Sequence, residues 1–275
     1  MIAAFAGWND AGDAATSAVE HLALEWDAQH IREIDGEEFY DFQATRPEIV
    51  HARGVTRRIE WPAVTVSYAH VPGAGRDAVF VLGPEPNLRW RTFAAQLVEL
   101  AAALDVELVV TLGALLADTP HTRETPVTGS AETSDTTARF GLAPSRYEGP
   151  TGITGVLQHE FVLAGVPSVS LWAAVPHYLA SPPNPKATLA LLRRLEQVIE
   201  APISLDSIAE QAAVWQAAVD EMMSSDDDMA AYVQQLEEDV DDAADDGPEP
   251  LSEVDGDTLA AEFENYLRRR GDGPA

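Results

Sequence analysis

Two carboxylates, two imidazoles and a guanidinium each lie three to eleven residues beyond a short apolar run that reads as a strand. Asp10 sits in the turn Gly7-Trp8-Asn9-Asp10-Ala11-Gly12-Asp13, and Glu85 in Gly83-Pro84-Glu85-Pro86-Asn87. His121 and Arg123 close the stretch Gly113 to Arg123, and His177 lies in Pro176-His177-Tyr178. A fifth polar loop, Tyr147 to Gly152, precedes a helical pattern. If the strands are largely parallel, these loops converge on one edge of a sheet, where α/β proteins bind ligands. Such a set is suited to acid–base chemistry or to anion binding. Asp10 or Glu85 would be the acid or base, His121 or His177 the proton carrier, and Arg123 the anion clamp. Trp8, Asn9, Asp13 and Asn87 complete the candidate pocket.

Each residue also has a plainer reading. Asp10 and Asp13 suit the start of a helix, where free backbone N–H groups favour carboxylates. Asn87 and Thr151 can cap the helices that follow them, and Pro84 and Pro86 can simply fix a turn. A lone histidine is more often structural than catalytic. Sharp catalytic signatures are missing. There is no Gly-x-Gly-x-x-Gly, no Walker Gly-Lys-Ser/Thr, no Gly-x-Ser-x-Gly and no His-Glu-x-x-His. His159-Glu160 lacks the second histidine of a zinc helix. No metal or cofactor is expected.

The elements that must position these residues alternate between strand and helix patterns. Strand candidates are Ile2–Phe5, Val55–Glu60, Val64–His70, Ala78–Leu82, Leu108–Leu112 and Ser168–Ala173. Apolar residues recur at helical spacing from Ala15 to Trp26, Phe93 to Leu104, Ile153 to Phe161 and Leu189 to Ile199. The reading is an α/β layered domain over residues 1–200, its mixed sheet flanked by helices. Residues 201–240 read as a helical hairpin. Its stripes are Ile208, Ala212, Trp215, Val219 and Met222, then Met229, Tyr232, Val233, Leu236 and Val240, with Ser224–Asp228 between them. Residues 241–256 read as an acidic, disordered linker, and 257–275 as a short C-terminal helix and tail.

The chain has 275 residues, no cysteine and a net charge of −29. Residues 201–275 hold 21 acidic side chains against three arginines, a net of −18, which leaves −11 for the rest. Such acidity repels phosphate backbones and anionic lipids, so neither nucleic acid nor membrane is an expected partner. The plainest role of the acid is solubility, and a salt-adapted source is a second explanation. No apolar run reaches the ~20 residues that span a bilayer, and no secretory signal is visible. A cytoplasmic location is expected. The first apolar run begins at Met1 itself, so the first strand is expected to have lost a few residues upstream.

Five segments together resemble the proteasome assembly chaperone family, in its bacterial, actinobacterial-type branch with a C-terminal helical extension. They are Ala4 to Ala15, Gly83 to Pro86, Thr111 to Arg123, Gly149 to Ile153 and Ser170 to Tyr178. The resemblance implies a phosphorylase/hydrolase-like α/β fold, a homo-oligomer and a role in assembling other proteins. Relatives of this family dock on the proteasome through a C-terminal hydrophobic–Tyr–any tripeptide. Here the sequence ends Gly271-Asp272-Gly273-Pro274-Ala275, so docking by that route is not expected. Bacterial members have also been labelled carboxylate–amine ligases of the ATP-grasp type, yet Lys186 is the sole lysine available to grip phosphates. The two function classes are thus a non-catalytic scaffold and, as the alternative, a small-molecule enzyme or binder using the five loops.

Overall fold

The computed structural model describes residues 1–52, 55–145 and 147–245. In chain order its strands are β1 (Ile2–Ala6), β2 (Gln29–Ile34), β3 (Glu48–Ala52), β4 (Val55–Glu60), β5 (Val64–His70), β6 (Asp77–Pro84), β7 (Val109–Ala117), β8 (Val127–Ser130) and β9 (Ser168–Pro176). Its helices are α1 (Ala14–Glu25), α2 (Trp90–Ala103), α3 (Ser134–Phe140), α4 (Ile153–Leu163), α5 (Pro185–Ile199), α6 (Asp206–Ser224) and α7 (Asp227–Asp245). Seven strands form one mixed sheet in the order β2-β5-β6-β1-β7-β9-β8, and β3 with β4 forms a separate two-stranded ribbon.

The centre of the sheet is parallel: β6, β1, β7 and β9 run the same way. β2, β5 and β8 pair antiparallel at the flanks. The carboxyl ends of β1, β6, β7 and β9 therefore share one edge. Successive strand residues face opposite sides, so β1 gives Ile2 and Ala4 to one core and Ala3 and Phe5 to the other. The first core is closed by α1, α5 and the start of α6, through Leu22, Leu192, Ile208 and Ala212. The second is closed by α2 and α4, through Phe93, Leu97, Leu157 and Phe161. Phe93 meets Phe5 and Phe39 edge to face, with ring centroids 5.8 and 5.4 Å away.

Three strands and a helix were not expected from the sequence. β2 is an edge strand exposed along five of its six residues, so it carries no apolar alternation. β3 belongs to the exposed ribbon, and β8 is four residues at the opposite edge. α3, Ser-Asp-Thr-Thr-Ala-Arg-Phe, has no apolar stripe; its N-terminus is held by Thr133 Oγ1, which accepts from Thr136 N at 3.3 Å.

The helical hairpin is α6 and α7. Its break is tighter than the sequence suggests, at residues 225–226, and the residue that turns inward is Met223, while Met222 is exposed. α7 continues through Asp245, five residues into the stretch read as linker. The rest of that stretch and the expected C-terminal helix lie outside the described residues. Leu179, Val219, Met223 and Val233 form a small third core between the hairpin and the layered domain.

Candidate functional site

β1 delivers the opening turn. Asp10 N donates to Gly7 O at 3.1 Å, and Ala114 N on β7 donates to Asn9 O at 2.8 Å, pinning the turn to the neighbouring strand. Asn9 and Asp10 are 0% and 4% exposed. Asp10 caps α1 from four residues ahead of its first residue, Ala14. Its Oδ1 accepts from Ala15 N at 2.6 Å, and its Oδ2 accepts from Thr16 N at 3.2 Å and from Thr16 Oγ1. Burial pushes the Asp10 carboxyl up from its ordinary value, against the pull of the three hydrogen bonds. Asp13 also stands at the start of α1, but its side chain makes no capping bond. Gly12 has φ of 63°, and a Cβ there would lie 2.8 Å from Asn184 Cβ, so the tight corner requires glycine.

Glu85 performs the same service for α4. One carboxylate oxygen accepts from Ile153 N at 2.8 Å and from Asn9 Nδ2 at 2.6 Å. Thr154 Oγ1 donates to Asn9 Oδ1 at 3.3 Å. A Cβ on Gly152 would collide with the Asn9 amide, so the loop before α4 reaches the opening turn only by being glycine. Asn87 lies apart from this group. It does not cap α2, whose first turn has no side-chain cap; its Oδ1 accepts from Asp41 N at 3.0 Å and Thr45 Oγ1 at 2.9 Å. Trp8 is half-buried in the same turn as Asn9.

The β7 and β9 loops form a second cluster, completed by the hairpin. His121 is 3% exposed. Tyr178 Oη accepts from His121 N at 2.9 Å and lies 2.8 Å from His121 Nδ1, while Nε2 lies 3.2 Å from Asp220 Oδ1 on α6. The arrangement that satisfies every atom has Tyr178 donating to Nδ1 and Nε2–H donating to the carboxylate. Burial holds the imidazole below its ordinary value, with Asp220 opposing and Lys186 assisting. Lys186 Nζ donates to His121 O and, at 2.7 Å, to Gln216 Oε1 on α6. Burial lowers the Lys186 ammonium too.

Arg123 is bound to α7. Its NH2 donates to Asp241 Oδ2 at 2.7 Å, its NH1 lies 3.4 Å from Glu237 Oε1, and Thr122 Oγ1 donates to that same oxygen. His177 Nδ1 lies 3.0 Å from Asp118 Oδ1, near enough to pair but off the angle of a hydrogen bond, and Nε2 lies 3.3 Å from Tyr232 Oη on α7. The rings of His177, Tyr178 and Tyr232 meet edge to face at 5.6 to 5.9 Å.

The nine candidates fall into two bonded groups, with Asn87 apart from both. Asn9, Asp10 and Glu85 seal two helix N-termini, and His121, Arg123 and His177 hold the hairpin. An open groove of about 600 Å³ lies between α5, α6 and the segment 122–127, with Lys186, Arg193, Gln216 and Asp220 on its walls, and none of the nine lines it. His121 lines a smaller cavity with Asn184 and Trp215. Among the described residues, no three His, Asp or Glu side chains are grouped to hold a metal, and no helix is long and apolar enough to cross a membrane. Asp220, Gln216, Glu237 and Tyr232 were missed as site residues. Their only signal is an acidic, amphipathic helix pair, which does not say where it docks.

A parallel-centred sheet with helices on both faces, its strand edge covered by an acidic hairpin, defines an α/β protein of the PAC2 architecture. The PAC2 family model matches residues 4–223, and the chain belongs to that family. It is similar to the proteasome-assembly chaperone homologue Rv2125 of Mycobacterium tuberculosis, at 52% identity over 84% of this chain and 98% of that one, with a TM-score of 0.77. It is similar also to a PAC2 family protein of Streptomyces avermitilis, at 50% identity over 85% and 98%, TM-score 0.78. The archaeal proteasome activator PbaB of Pyrococcus furiosus shares the fold at 17% identity over 80% and 92%, TM-score 0.64. No curated protein matches.

Proposed function

We propose that this is a non-catalytic assembly or scaffolding protein of the cytoplasm, which self-associates and holds a protein partner. The observation that carries the reading is what the strand-edge side chains are spent on. Asp10 and Glu85 satisfy the N-termini of α1 and α4, and His121 and Arg123 are tied to α6 and α7. A general acid or base must reach a substrate proton, and these groups are engaged by the protein's own donors and acceptors. The similarity to a proteasome-assembly chaperone homologue at 52% identity supports a partner that is itself a protein assembly. The hairpin offers it an acidic surface, because Glu210 and Glu221 on α6 and Glu238 and Asp239 on α7 are all exposed.

The test is affinity capture of the full chain from its native cell, with cross-linking and mass spectrometry. The reading expects a stoichiometric protein partner cross-linked to the protein. Recovery of self-oligomers alone would count against it.

A further inference from the structure

The open groove beside α5 and α6 has an apolar floor and two ends of different charge. Ala209, Ala212 and Ala213 of α6 and Leu189 and Ala190 of α5 line it, and these mostly small side chains leave it wide. The two helices run antiparallel. Lys186, in the first turn of α5, meets Gln216 of α6 at 2.7 Å, and the short connection 200–205 joins the end of α5 to the start of α6. Arg193 and Arg194 therefore lie at the Ala209 end, whereas Asp220 and Glu124 lie near Lys186 at the other. Arg194 donates to Gln197 Oε1 at 2.6 Å, and among the described residues neither arginine pairs with a carboxylate. Lys186 is already committed to His121 O and Gln216.

Residues 257–270, outside the described residues, match this groove in pattern, length and charge. Leu259, Phe263, Tyr266 and Leu267 recur at helical spacing. So short a helix is marginal alone in water and needs a surface to pack on. Its charge is polarised: Asp257, Glu262 and Glu264 come first, and Arg268, Arg269 and Arg270 last. The segment is thus neutral overall, which spares it the repulsion that so acidic a protein exerts on an anionic chain. Leu259 and Arg270 are eleven residues apart, as are Ala209 and Asp220, about 17 Å along a helix.

We propose that residues 257–270 dock as a helix in the groove of their own chain, parallel to α6. Leu259, Phe263 and Tyr266 lie on the alanine floor, Asp257 and Glu262 beside Arg193 and Arg194, and Arg270 beside Asp220 and Glu124. The reverse direction would set acid against acid and arginine against arginine, so charge fixes the orientation. The tether permits it. α7 ends at Asp245, about one turn beyond the Asp241 that binds Arg123, and Arg123 lies between the groove residues Thr122 and Glu124. The linker 246–256 reaches at most about 36 Å, roughly twice the length of the groove floor. Tethering also holds the segment at an effective concentration of about a millimolar. The same segment of a second copy would first have to overcome the repulsion between two chains of −29 each. The groove is thus closed by the chain itself, and a protein partner reaches its floor only by displacing this helix. The inference does not rest on the scaffolding reading, and its test leaves partner capture standing.

The experiment uses thiol alkylation of the full chain, which has no cysteine of its own. Ala213→Cys puts one thiol on the groove floor, and its rate of alkylation reports whether the floor is covered. The thiol is expected to react at least about 10-fold more slowly than in the same chain carrying Phe263→Asp. Arg193→Glu is expected to speed the reaction, and Arg193→Glu combined with Glu262→Arg to restore protection. Val214→Cys, exposed on α6 and outside the groove, is expected to react at one rate in every background. Circular dichroism confirms that each variant is folded. A groove thiol that reacts equally fast with and without Phe263→Asp overturns the inference, and so does a charge-reversed pair that fails to restore protection. Protection that fades as the protein is diluted assigns the groove to a second copy and overturns it as well.

Discussion

The Asn9–Asp10–Glu85 corner and the His121–Arg123–His177 seam lie on one sheet edge and use the same residue types. They differ in what completes them. The corner is closed by the layered domain itself: the acceptors of Asp10 and Glu85 meet backbone N–H groups of α1 and α4. The seam is closed by helices about 100 residues further on, through Asp220, Glu237 and Asp241. Polar residues at strand ends are thus no sign of chemistry by themselves. The same groups can stitch a helix start or anchor a whole appendage, and the contacts decide which.

The comparison predicts that the corner governs global stability and the seam governs the hairpin. The largest effect is expected from Asp10→Ala, which leaves the N–H groups of Ala15 and Thr16 buried without an acceptor. It should cost about 2–4 kcal/mol in denaturant unfolding. A loss below about 1 kcal/mol would break the comparison at its stronger side. Glu85→Ala releases Ile153 N and the Asn9 amide and should cost about 1–3 kcal/mol. Glu85→Gln keeps one acceptor oxygen and should recover part of that.

His121→Ala should act locally. Amide exchange should speed in α6 and α7, with β1, β7 and β9 still protected; equal loss in the central strands would merge the two regions. The pH responses should also have opposite signs. The folded value of His121 is lowered from 6.5, so its contribution is full above that pH and is lost as pH falls through the folded value. Hairpin protection should therefore fall on acidification below about 6.5, and His121→Gln should abolish that step. Asp10 is raised from 3.8, so its contribution is present below that pH and is lost as pH rises through the folded value. Arg123→Ala should have the smallest effect. Arg123 is an exposed pair, so release of α7 should be detectable at low salt and vanish at high salt.

How far the sequence reaches follows the same division. Helices with an apolar stripe, such as α5 with Leu189, Leu192 and Leu195, are legible because burial imposes their period. The strand Val64–His70 is legible and enters the sheet antiparallel to β6, whereas Val55–Glu60 is legible as a strand but not as part of a separate ribbon. β2 and β8 are not, because edge strands bury little and carry no pattern. The convergence of the loops follows from chain order, since β1, β6, β7 and β9 all end at one edge. That Asp10 reaches Ala15 and Thr16 is nearly legible, because both partners are close in sequence. That His121 faces Asp220 and Lys186 is not, because a hairpin's docking position is set by packing of Ile208, Ala212 and Val219, which no local pattern encodes.

The proposed scaffolding role takes this edge as structural rather than as a reactive pocket. It is tested most directly by thermal-shift titration of the wild type with phosphate, nucleosides and nucleotides, alongside Asp10→Asn and His121→Gln. A site binding any of these would stabilise the fold by mass action. The account predicts no dose-dependent rise in Tm for the wild type. A rise that disappears in Asp10→Asn or His121→Gln would contradict it.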